Sequence, residues 1–435
     1  MPSKARCYLL TLTSALALAS LSTAATETVS AEQLYPALSA EVLPALSARG
    51  SYPVGVSTLT ITNPAQLDLN TQSLQDRPLR LEVWYPARQA AALTSYQNQS
   101  RSGVPFSLQA NASRDSAIDQ SAKFPLVVLS HGYTGYRTIM FYLGEHLASH
   151  GYIVAAIDHT DSTNAEVEMK TAPFAGFVST LLNRSRDQQF VLAHLRSSNT
   201  FLQPQLDGTK AAVIGYSMGG FGAVNTVGGC YAFSGATTAA FTGSKDEKQI
   251  AQLQQLLNSC AGGQAPTKFS VDPAWKAAIA LAPWGGQHQL FEPAALKRIK
   301  VPMLYIAGDQ DDISGYDGIR WLFQHSGSQD KYLLTYQQAR HNIAPHPAPQ
   351  AASGNELDLG HYYEPAWSSR TLNEINKHFA LAMLDCHVKA VASQCRYLQL
   401  PASPTRKDAA GKELGFTGFA PRYATGLLWQ QGSGG

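Results

Sequence analysis

Residues 211–220 read AAVIGYSMGG and predict a buried strand, a sharp turn and a helix in direct succession. The run AAVIG is continuously apolar, which is typical of a strand that is buried on both faces of a parallel sheet. Small residues with helical spacing continue from 217 to 227. The glycines on either side of Ser217 let neighbouring chain approach without a clash at Cβ, so the turn holds this serine at its apex.

Similar strand patterns recur along the chain, with helical patterns between them. Apolar runs that resemble buried strands lie at 125–130, 152–157, 277–282, 303–307 and 332–336. Helical spacing is found at 138–149 and 186–196. Strands that alternate with helices predict an α/β fold with a mostly parallel central sheet that helices cover on both faces.

Two further strand patterns and a polar stretch precede this alternation. Apolar residues alternate with polar ones at 54–61 and 79–85, which is typical of half-buried strands. Residues 87–123 are rich in Ser, Asn and Gln, and we predict that they form a long surface loop.

Composition limits the classes of function. The 435 residues are 44% hydrophobic and 15% charged, which is ordinary for a globular protein. The formal net charge of +2 is near neutral and the basic residues are spread thinly, so we expect no nucleic-acid partner. We expect the protein to be a monomer.

Residues 1–25 have the pattern of a signal peptide. Lys4 and Arg6 precede an apolar run at 8–21, and small residues follow at 22–25. This pattern predicts a secreted or periplasmic protein. No later stretch is long and apolar enough to span a membrane, so we expect no membrane span.

Export makes the cysteines candidates for disulfide bonds. Removal of Cys7 with the leader leaves Cys230, Cys260, Cys386 and Cys395, which allow three pairings. Proximity in sequence favours Cys230–Cys260 and Cys386–Cys395, and four free buried thiols are the alternative. The absence of a C-x-x-C pair argues against a metal site of cysteines.

The sequence also supplies partners for Ser217. A serine hydroxyl is a poor nucleophile until a base takes its proton, and in folds that hold a serine at such a strand-to-helix turn the partners follow in the order Ser, acid, His. Asp309, Asp311 and Asp312 all follow the strand pattern that ends at 307. Asp311 is favoured as the acid because an apolar residue two positions later can anchor the turn, and Asp312 is the next choice.

The histidine should lie in the loop after the next strand, where His341 fits and His346 is the alternative. Ester cleavage builds negative charge on a carbonyl oxygen, which two backbone N–H groups would stabilise. We expect these oxyanion-hole donors to be Met218, directly after the serine, and Tyr133, in the loop HGYTG. His131 is expected to hydrogen-bond within this loop. This chemistry needs no cofactor and no metal.

Several of these segments resemble known hydrolases. They are HGYTGYR (131–137), LASHGYIVAAIDHTDST (147–163), GYSMGG (215–220), LAPWGG (281–286) and GDQDD (308–312). They are similar to the bacterial cutinase and polyester hydrolase group, and to the related platelet-activating-factor acetylhydrolase and dienelactone hydrolase group. YPVG (52–55), VWYP (83–86) and HYYEPAW (361–367) resemble the acetylhydrolase-like branch.

The resemblance spans roughly residues 50 to 390 and implies an α/β-hydrolase fold. It also implies a catalytic triad of Ser217, Asp311 and His341, with Tyr133 and Met218 as oxyanion donors. In polyester hydrolases an aromatic residue in the PW motif lines the substrate cleft. Trp284 matches it, and Tyr133 would face it across the cleft.

The chain departs from the compact polyester hydrolases in an insertion, a long leader and a C-terminal wrap. Residues 231–272 predict an insertion after the nucleophile helix, which could form a lid or a wall near the active-site face, and carry a charged helical patch at 245–257. We therefore expect an α/β-hydrolase domain at 26–390, followed at 391–435 by an irregular C-terminal wrap rich in Gly, Pro and Ser.

The leading interpretation is a secreted serine carboxylic ester hydrolase that acts on short-acyl or lipid-like esters through an acyl-enzyme. The alternatives are a cutinase or polyester hydrolase that acts on polymers, including aromatic polyesters, and a catalytically silent binding protein of the same fold. The expected partner is a small-molecule or polymeric ester.

Overall fold

A ten-stranded sheet runs through the computed structural model, which describes residues 30–69, 71–412 and 414–432. The strands are β1 (Val54–Asp68), β2 (Ser73–Pro86), β3 (Ser95–Gln99), β4 (Pro105–Gln109), β5 (Ser113–Arg114), β6 (Phe124–Ser130), β7 (Ile153–Asp158), β8 (Leu206–Tyr216), β9 (Trp275–Leu281), β10 (Met303–Gly308), β11 (Lys331–Tyr336) and β12 (Leu427–Gly432). The helices are α1 (Phe141–Ser149), α2 (Phe177–Ser197), α3 (Met218–Thr226), α4 (Gly235–Thr242), α5 (Glu247–Leu257), α6 (Pro293–Leu296), α7 (Tyr316–His325), α8 (Glu356–Leu359) and α9 (Ser369–His387).

The centre of the sheet is parallel, as the sequence predicted. The strand order is β12-β11-β10-β9-β8-β6-β7-β2-β1-β5, and β3 pairs with β4 in a separate hairpin. The six strands from β11 to β7 are parallel to one another, whereas β12 and β2 add to them in the antiparallel sense. The carboxyl ends of the six parallel strands therefore lie at one edge, and the loops that leave them converge there.

Each central strand contributes apolar side chains to both faces of the sheet. In β6, Val127 and Leu129 pack in one core with residues of α1 and α9. Leu126 and Val128 point the other way and pack with residues of α2, α3 and α7. Such two-sided burial explains why the strands read as continuous apolar runs, since full burial of each such side chain contributes about 1.5–3 kcal/mol.

The stretch predicted to be a long surface loop, 87–123, is more ordered than its composition suggested. It contains the β3–β4 hairpin, in which Tyr96, Phe106 and Leu108 are buried. The hydroxyl of Tyr96 accepts a hydrogen bond from Trp84 Nε1 at 2.7 Å and donates one to Glu145 at 2.7 Å. The prediction was wrong because the hairpin depends on contacts with distant elements, which local composition does not record.

The insertion at 231–272 folds into α4 and α5. Ser234 caps α4 with its hydroxyl, and the Asp246 carboxylate accepts the Gln249 N–H at the start of α5. These capping interactions satisfy backbone donors that would otherwise be unpaired at helix starts.

The segment at 391–435, predicted to be an irregular wrap, differs at its end. There β12 pairs with β11 in antiparallel register and forms the edge of the main sheet. Leu427 and Trp429 alternate on its buried side, and the Trp429 ring stacks on Tyr332 with 5.4 Å between ring centroids. This burial stabilises an edge strand that the Gly and Ser content of the segment did not predict.

The predicted signal peptide and Cys7 lie outside the described residues. Within the described ranges, no helix combines the length and apolar character needed to cross a membrane.

Two disulfide bonds are present, and they join the pairs favoured by sequence proximity. Cys230–Cys260 closes the base of the insertion, and Cys386–Cys395 ties the end of α9 to the chain that follows. Their sequence separations are 30 and 9 residues. A crosslink stabilises the fold by restricting the unfolded chain, and the effect grows with the length of the loop it closes.

We therefore expect removal of the longer crosslink to be the more destabilising change. The C230A/C260A variant should lose about 3–4 kcal/mol of unfolding free energy, and C386A/C395A about 2–3 kcal/mol. Urea denaturation of both double variants beside the wild type measures these losses. An unchanged midpoint for C230A/C260A would contradict the prediction.

Candidate active site

Ser217 occupies a strained turn between β8 and α3. Its φ is 54° and its ψ is −114°, a conformation that non-glycine residues seldom adopt. A Cβ on Gly219 would lie 2.0 Å from the Ser130 carbonyl oxygen, and one on Gly215 would lie 2.1 Å from the Gly219 oxygen. Only glycine fits at these two positions, so the G-x-S-x-G pattern follows from close backbone packing.

A hydrogen-bonded chain links Ser217, His341 and Asp311. Ser217 Oγ lies 3.0 Å from His341 Nε2, and His341 Nδ1 lies 3.0 Å from both carboxylate oxygens of Asp311. Asp311 Oδ1 also accepts the backbone N–H groups of Ile313 at 2.9 Å and Ser314 at 2.8 Å. An ionised Asp311 fixes the tautomer in which His341 Nδ1–H donates to it, which leaves Nε2 free to accept the serine proton.

The environment of Asp311 favours its charged form. Burial alone would raise the pKa of this carboxyl. The neighbouring His341 and the hydrogen bonds from Ser314 and Ile313 outweigh burial and lower the pKa below its ordinary value.

The other candidates have different partners. Asp312 forms an ion pair with Arg340, and Asp309 accepts the Gln338 N–H at 2.7 Å. The structure thus brings Asp311, and not Asp312, against His341.

His346 is engaged elsewhere, because its ring nitrogens lie 2.6 Å from the Tyr136 hydroxyl and 2.7 Å from the Pro347 carbonyl oxygen. Burial lowers the pKa of His346 to about 4, so this histidine is neutral in the core.

The loop after β6 lies directly against the serine. A Cβ on Gly132 would be 3.1 Å from Ser217 Cβ. Within the part of the chain that the structure describes, the N–H groups of Tyr133 and Met218 have no hydrogen-bond partner. Two unpaired donors beside a serine are the arrangement that an oxyanion would need.

His131 fixes the orientation of the Gly132–Tyr133 peptide. Its Nε2 accepts the His159 N–H at 3.2 Å, and its Nδ1 lies 2.6 Å from the Gly132 carbonyl oxygen. Burial, above all, lowers the pKa of His131 well below its ordinary value, so the ring is neutral and Nδ1–H donates to Gly132. This role agrees with the expectation that His131 hydrogen-bonds within its own loop.

A buried network that sequence reasoning missed lies beneath this loop. The Ser130 hydroxyl lies 2.8 Å from His159 Nε2, and His159 Nδ1 lies 2.9 Å from Asp187. Arg77 donates to both oxygens of Asp187, at 2.9 and 3.0 Å. The segment AIDHTD, which contains His159, carries only a family resemblance, and nothing in it points to Asp187 on α2.

Aromatic rings form one wall of the site, which we call the aromatic wall: Tyr133, Phe177, Phe241 and Trp284. Phe177 packs edge-on between Tyr133 and Trp284, with centroid distances of 5.3 and 5.6 Å. The ring centroid of Phe241 lies 5.3 Å from that of Trp284. We expected Tyr133 and Trp284 to face each other across an open cleft. They do not, because Phe177 packs between them.

Phe241 belongs to α4, so the insertion supplies part of the aromatic wall. This corresponds to the expectation of a wall near the active-site face.

In the described ranges, no group of three His, Cys, Asp or Glu side chains is arranged to hold a metal ion.

Two family models match parts of this chain. Residues 39–175 match the model described as platelet-activating factor acetylhydrolase, isoform II, and residues 116–240 match the PET hydrolase-like model. The Gly132–Tyr133 loop lies in both matched ranges and Ser217 in the second. Asp311 and His341 lie outside both.

Similar proteins include acetylhydrolases and cutinases. Platelet-activating factor acetylhydrolase of Cavia porcellus is 30% identical over 155 residues, which are 28% of this chain and 36% of that protein. Cutinase est1 of Thermobifida alba is 26% identical over 254 residues, which are 58% of this chain and 62% of that protein. This chain thus spans less than two thirds of the length of these relatives.

A solved structure supports the fold over nearly the whole chain. Ferulic acid esterase from Streptomyces cinnamoneus aligns with a TM-score of 0.55 at 18% identity, over 88% of this chain and 98% of that one. At this identity the likeness concerns the fold alone, which is the α/β-hydrolase fold.

The contacts of Asp311 and Asp312 predict different effects on the reactivity of Ser217. Asp311→Asn should slow modification of Ser217 by an organophosphorus reagent roughly 10³- to 10⁴-fold, because an amide favours the wrong tautomer of His341. Asp312→Asn, which disturbs only an exposed ion pair, should change the rate by less than about twofold. Mass spectrometry of the modified serine over time measures both rates. Equal rates for the two variants would exclude this arrangement of roles.

Proposed function

We propose that this member of the α/β-hydrolase superfamily, which groups with the platelet-activating factor acetylhydrolases and the cutinases, hydrolyses carboxylic esters through an acyl-enzyme on Ser217. The observation that carries the proposal is the continuous hydrogen-bonded chain from Ser217 through His341 to Asp311. Its three members leave the carboxyl ends of three different strands, and each distance within the chain is that of a normal hydrogen bond.

In the first half of the reaction, Ser217 Oγ attacks the ester carbonyl carbon while His341 Nε2 takes the hydroxyl proton. The carbonyl oxygen becomes negative and accepts hydrogen bonds from the N–H groups of Tyr133 and Met218. His341 then gives its proton to the alcohol oxygen as the C–O bond breaks, and the acyl group remains on Ser217.

In the second half, a water molecule replaces the alcohol. His341 takes a proton from the water as its oxygen attacks the acyl carbon, and returns the proton to Ser217 Oγ as the acid leaves. Asp311 remains ionised throughout and stabilises the positive imidazolium that forms twice in each cycle.

The apolar character of the aromatic wall favours small or lipid-like esters as substrates. Its rings present apolar faces and edges near Ser217, which suit an acyl chain or an aromatic ring. Phe177 and Phe241 narrow the space beside Trp284, which favours soluble esters over a solid polymer.

A polyester hydrolase is the second candidate, and the match of residues 116–240 to the PET hydrolase-like model favours it. The insertion counts against it, because α4 brings Phe241 onto Trp284 at the aromatic wall. Release of soluble products from a polyester film would establish this candidate, and the same film treated with S217A is its control.

We also propose that the protein is exported. The apolar run near the N-terminus supports this, as do the two disulfide bonds, since such bonds persist mainly in oxidising compartments. The N-terminal sequence of the mature protein, purified from the culture medium or the periplasm, tests the cleavage after residue 25.

The central prediction concerns Ser217. Ser217→Ala should lower kcat for 4-nitrophenyl esters at least about 10⁴-fold, because no nucleophile remains to form the acyl-enzyme. A series from acetate to palmitate, assayed with the wild type and the variant, measures the loss and the preferred chain length. A folded wild type with no activity on any member would refute the simple esterase, and a binding protein of the same fold would then be favoured.

A separate prediction concerns the aromatic wall. Trp284→Leu keeps an apolar side chain but removes the rings, so KM for 4-nitrophenyl benzoate should rise roughly tenfold while KM for the acetate changes little. Phe201→Ala is the matched control, because Phe201 is an exposed aromatic residue that packs on Tyr85. Equal changes for the two esters in W284L would show that Trp284 does not contact the substrate.

A further inference from the structure

Arg101 is a half-buried cation for which the proposed reaction has no use. It lies in the turn between β3 and β4, within the stretch whose composition predicted only a polar surface loop. Its Nη2 donates a hydrogen bond to Thr134 Oγ1 at 2.8 Å. Thr134 follows Tyr133, so the guanidinium adjoins the loop that carries a proposed oxyanion donor.

The hydrogen-bonding capacity of Arg101 is largely unused. Its Nε is buried and has no partner, although an arginine offers five N–H donors. Within the part of the chain that the structure describes, Arg101 forms no ion pair with a carboxylate. An unpaired buried donor on a charged group is expensive, which suggests that something outside the chain completes it.

Asp358 is an acid that interacts with Arg101 electrostatically, but its oxygens already accept hydrogen bonds from other groups. Oδ1 accepts the Ser102 N–H at 2.8 Å, and Oδ2 accepts the Ser102 hydroxyl and the Asn355 amide. The carboxylate therefore anchors the hairpin turn beside Arg101 without neutralising the guanidinium by direct contact. It also lowers the net positive charge there, which suits a ligand with one negative charge better than one with two.

A second unpaired group lies on the facing segment. His361 Nδ1 is buried and has no partner. Burial and the positive charge of Arg101 lower the pKa of His361 well below its ordinary value, so its ring is neutral and can donate one hydrogen bond. Asn342, directly after His341, holds this segment by donating to the carbonyl oxygens of Gly360 and Tyr363 at 2.9 Å each.

Arg101 lies near two parts of the candidate site. Its Nη2 bonds the loop 131–135 at Thr134, and its guanidinium is close enough to Tyr216 and His361 to interact with both electrostatically. Tyr216 precedes Ser217, and its ring lies 5.3 Å from the ring of His341. Tyr136, Tyr362 and Asp358 also lie close enough to interact with Arg101, and Asp358 is the one of these three that is charged near neutral pH, because burial raises the pKa of both tyrosines.

We propose that Arg101, with His361 beside it, is a subsite for a carboxylate carried by the ester substrate. The inference rests on the proposed ester hydrolysis and narrows its substrate class to esters that bear one negative carboxylate near the scissile bond. A guanidinium binds a planar carboxylate through paired N–H groups, and here Nη2 is the nitrogen that is bonded within the described part of the chain. Arg101 would act in binding, while the chemistry remains with Ser217 and His341.

The test compares esters that differ only in charge. Mono-4-nitrophenyl adipate and its methyl ester place the carboxylate in the acyl part, and 4-acetoxybenzoate and its methyl ester place it in the alcohol part. In the wild type, the ratio of kcat/KM between charged and neutral partners measures the preference for the carboxylate. Arg101→Gln should reduce that ratio about 10- to 100-fold for at least one pair, because a charge-assisted hydrogen bond is lost.

Two control variants separate binding of the carboxylate from support of the loop. Arg101→Lys keeps the charge without the fork and should recover part of the ratio. Arg340→Gln removes another arginine near His341, one already paired with Asp312, and should leave the ratio unchanged. If Arg101 only supports the oxyanion loop, R101Q will lower kcat/KM equally for charged and neutral partners, and the subsite is refuted.

A binding measurement keeps the outcome independent of catalysis. Calorimetry with 4-hydroxybenzoate and hexanoate, which carry one carboxylate each, should give binding to the wild type and to S217A that is weakened at least tenfold in R101Q, with urea denaturation showing that R101Q is folded. Hydrolysis of neutral esters with no dependence of binding or selectivity on Arg101 would overturn the subsite and leave the proposed function intact. Carboxylate binding that depends on Arg101 without hydrolysis of any ester would refute the function and support the subsite.

Discussion

The backbone contact between Gly219 and Ser130 is the constraint on which the site depends. With no room for a Cβ at 219, the first turn of α3 packs directly on the end of β6. The loop 131–135 continues from Ser130, so this contact sets how far its N–H groups stand from Ser217. The same packing holds Ser217 at positive φ, and β8 can sustain that strain because it is hydrogen-bonded to β6 and β9 on its two sides.

Burial distinguishes two chains of serine, histidine and aspartate in this fold. Ser130, His159 and Asp187 are hydrogen-bonded in that order, but all three are at most 1% exposed, so no substrate can reach them. Their role is structural: Arg77 on β2 and Asp187 on α2 are joined through His159 to Ser130, at the base of loop 131–135. Loss of one partner would leave a buried charge uncompensated, a penalty of about 3–5 kcal/mol. This network holds loop 131–135 in place. Backbone N–H donors that are fixed in advance would need no reorganisation during the proposed reaction.

Sequence patterns predicted what depends on local burial and chain order, and missed what depends on distant contacts. The six parallel strands lie within a few residues of their apolar runs, because burial on both faces leaves a continuous signal. The sequence favoured Asp311 as the acid but left Asp312 open as the alternative. Contact with His341 distinguishes the two in the structure, because neighbouring loop residues of the same type point in different directions. The β3–β4 hairpin was missed because Tyr96 and Phe106 are buried by remote elements. Phe177 was likewise missed, since its position beside Tyr133 depends on the path of the chain from β7 to α2.

The missed elements are also the ones that shape the site. The parallel sheet sets the relative positions of Ser217, His341 and Asp311, and this frame serves any acyl transfer. The insertion contributes Phe241 to the aromatic wall, whereas the β3–β4 hairpin contributes Arg101 beside Thr134. The insertion makes the surroundings of the serine apolar, and the hairpin places a charge near loop 131–135. Because neither element takes part in the hydrogen-bonded chain from Ser217 to Asp311, we infer that, in the proposed reaction, these two elements govern which ester binds and the parallel sheet governs how it is cleaved.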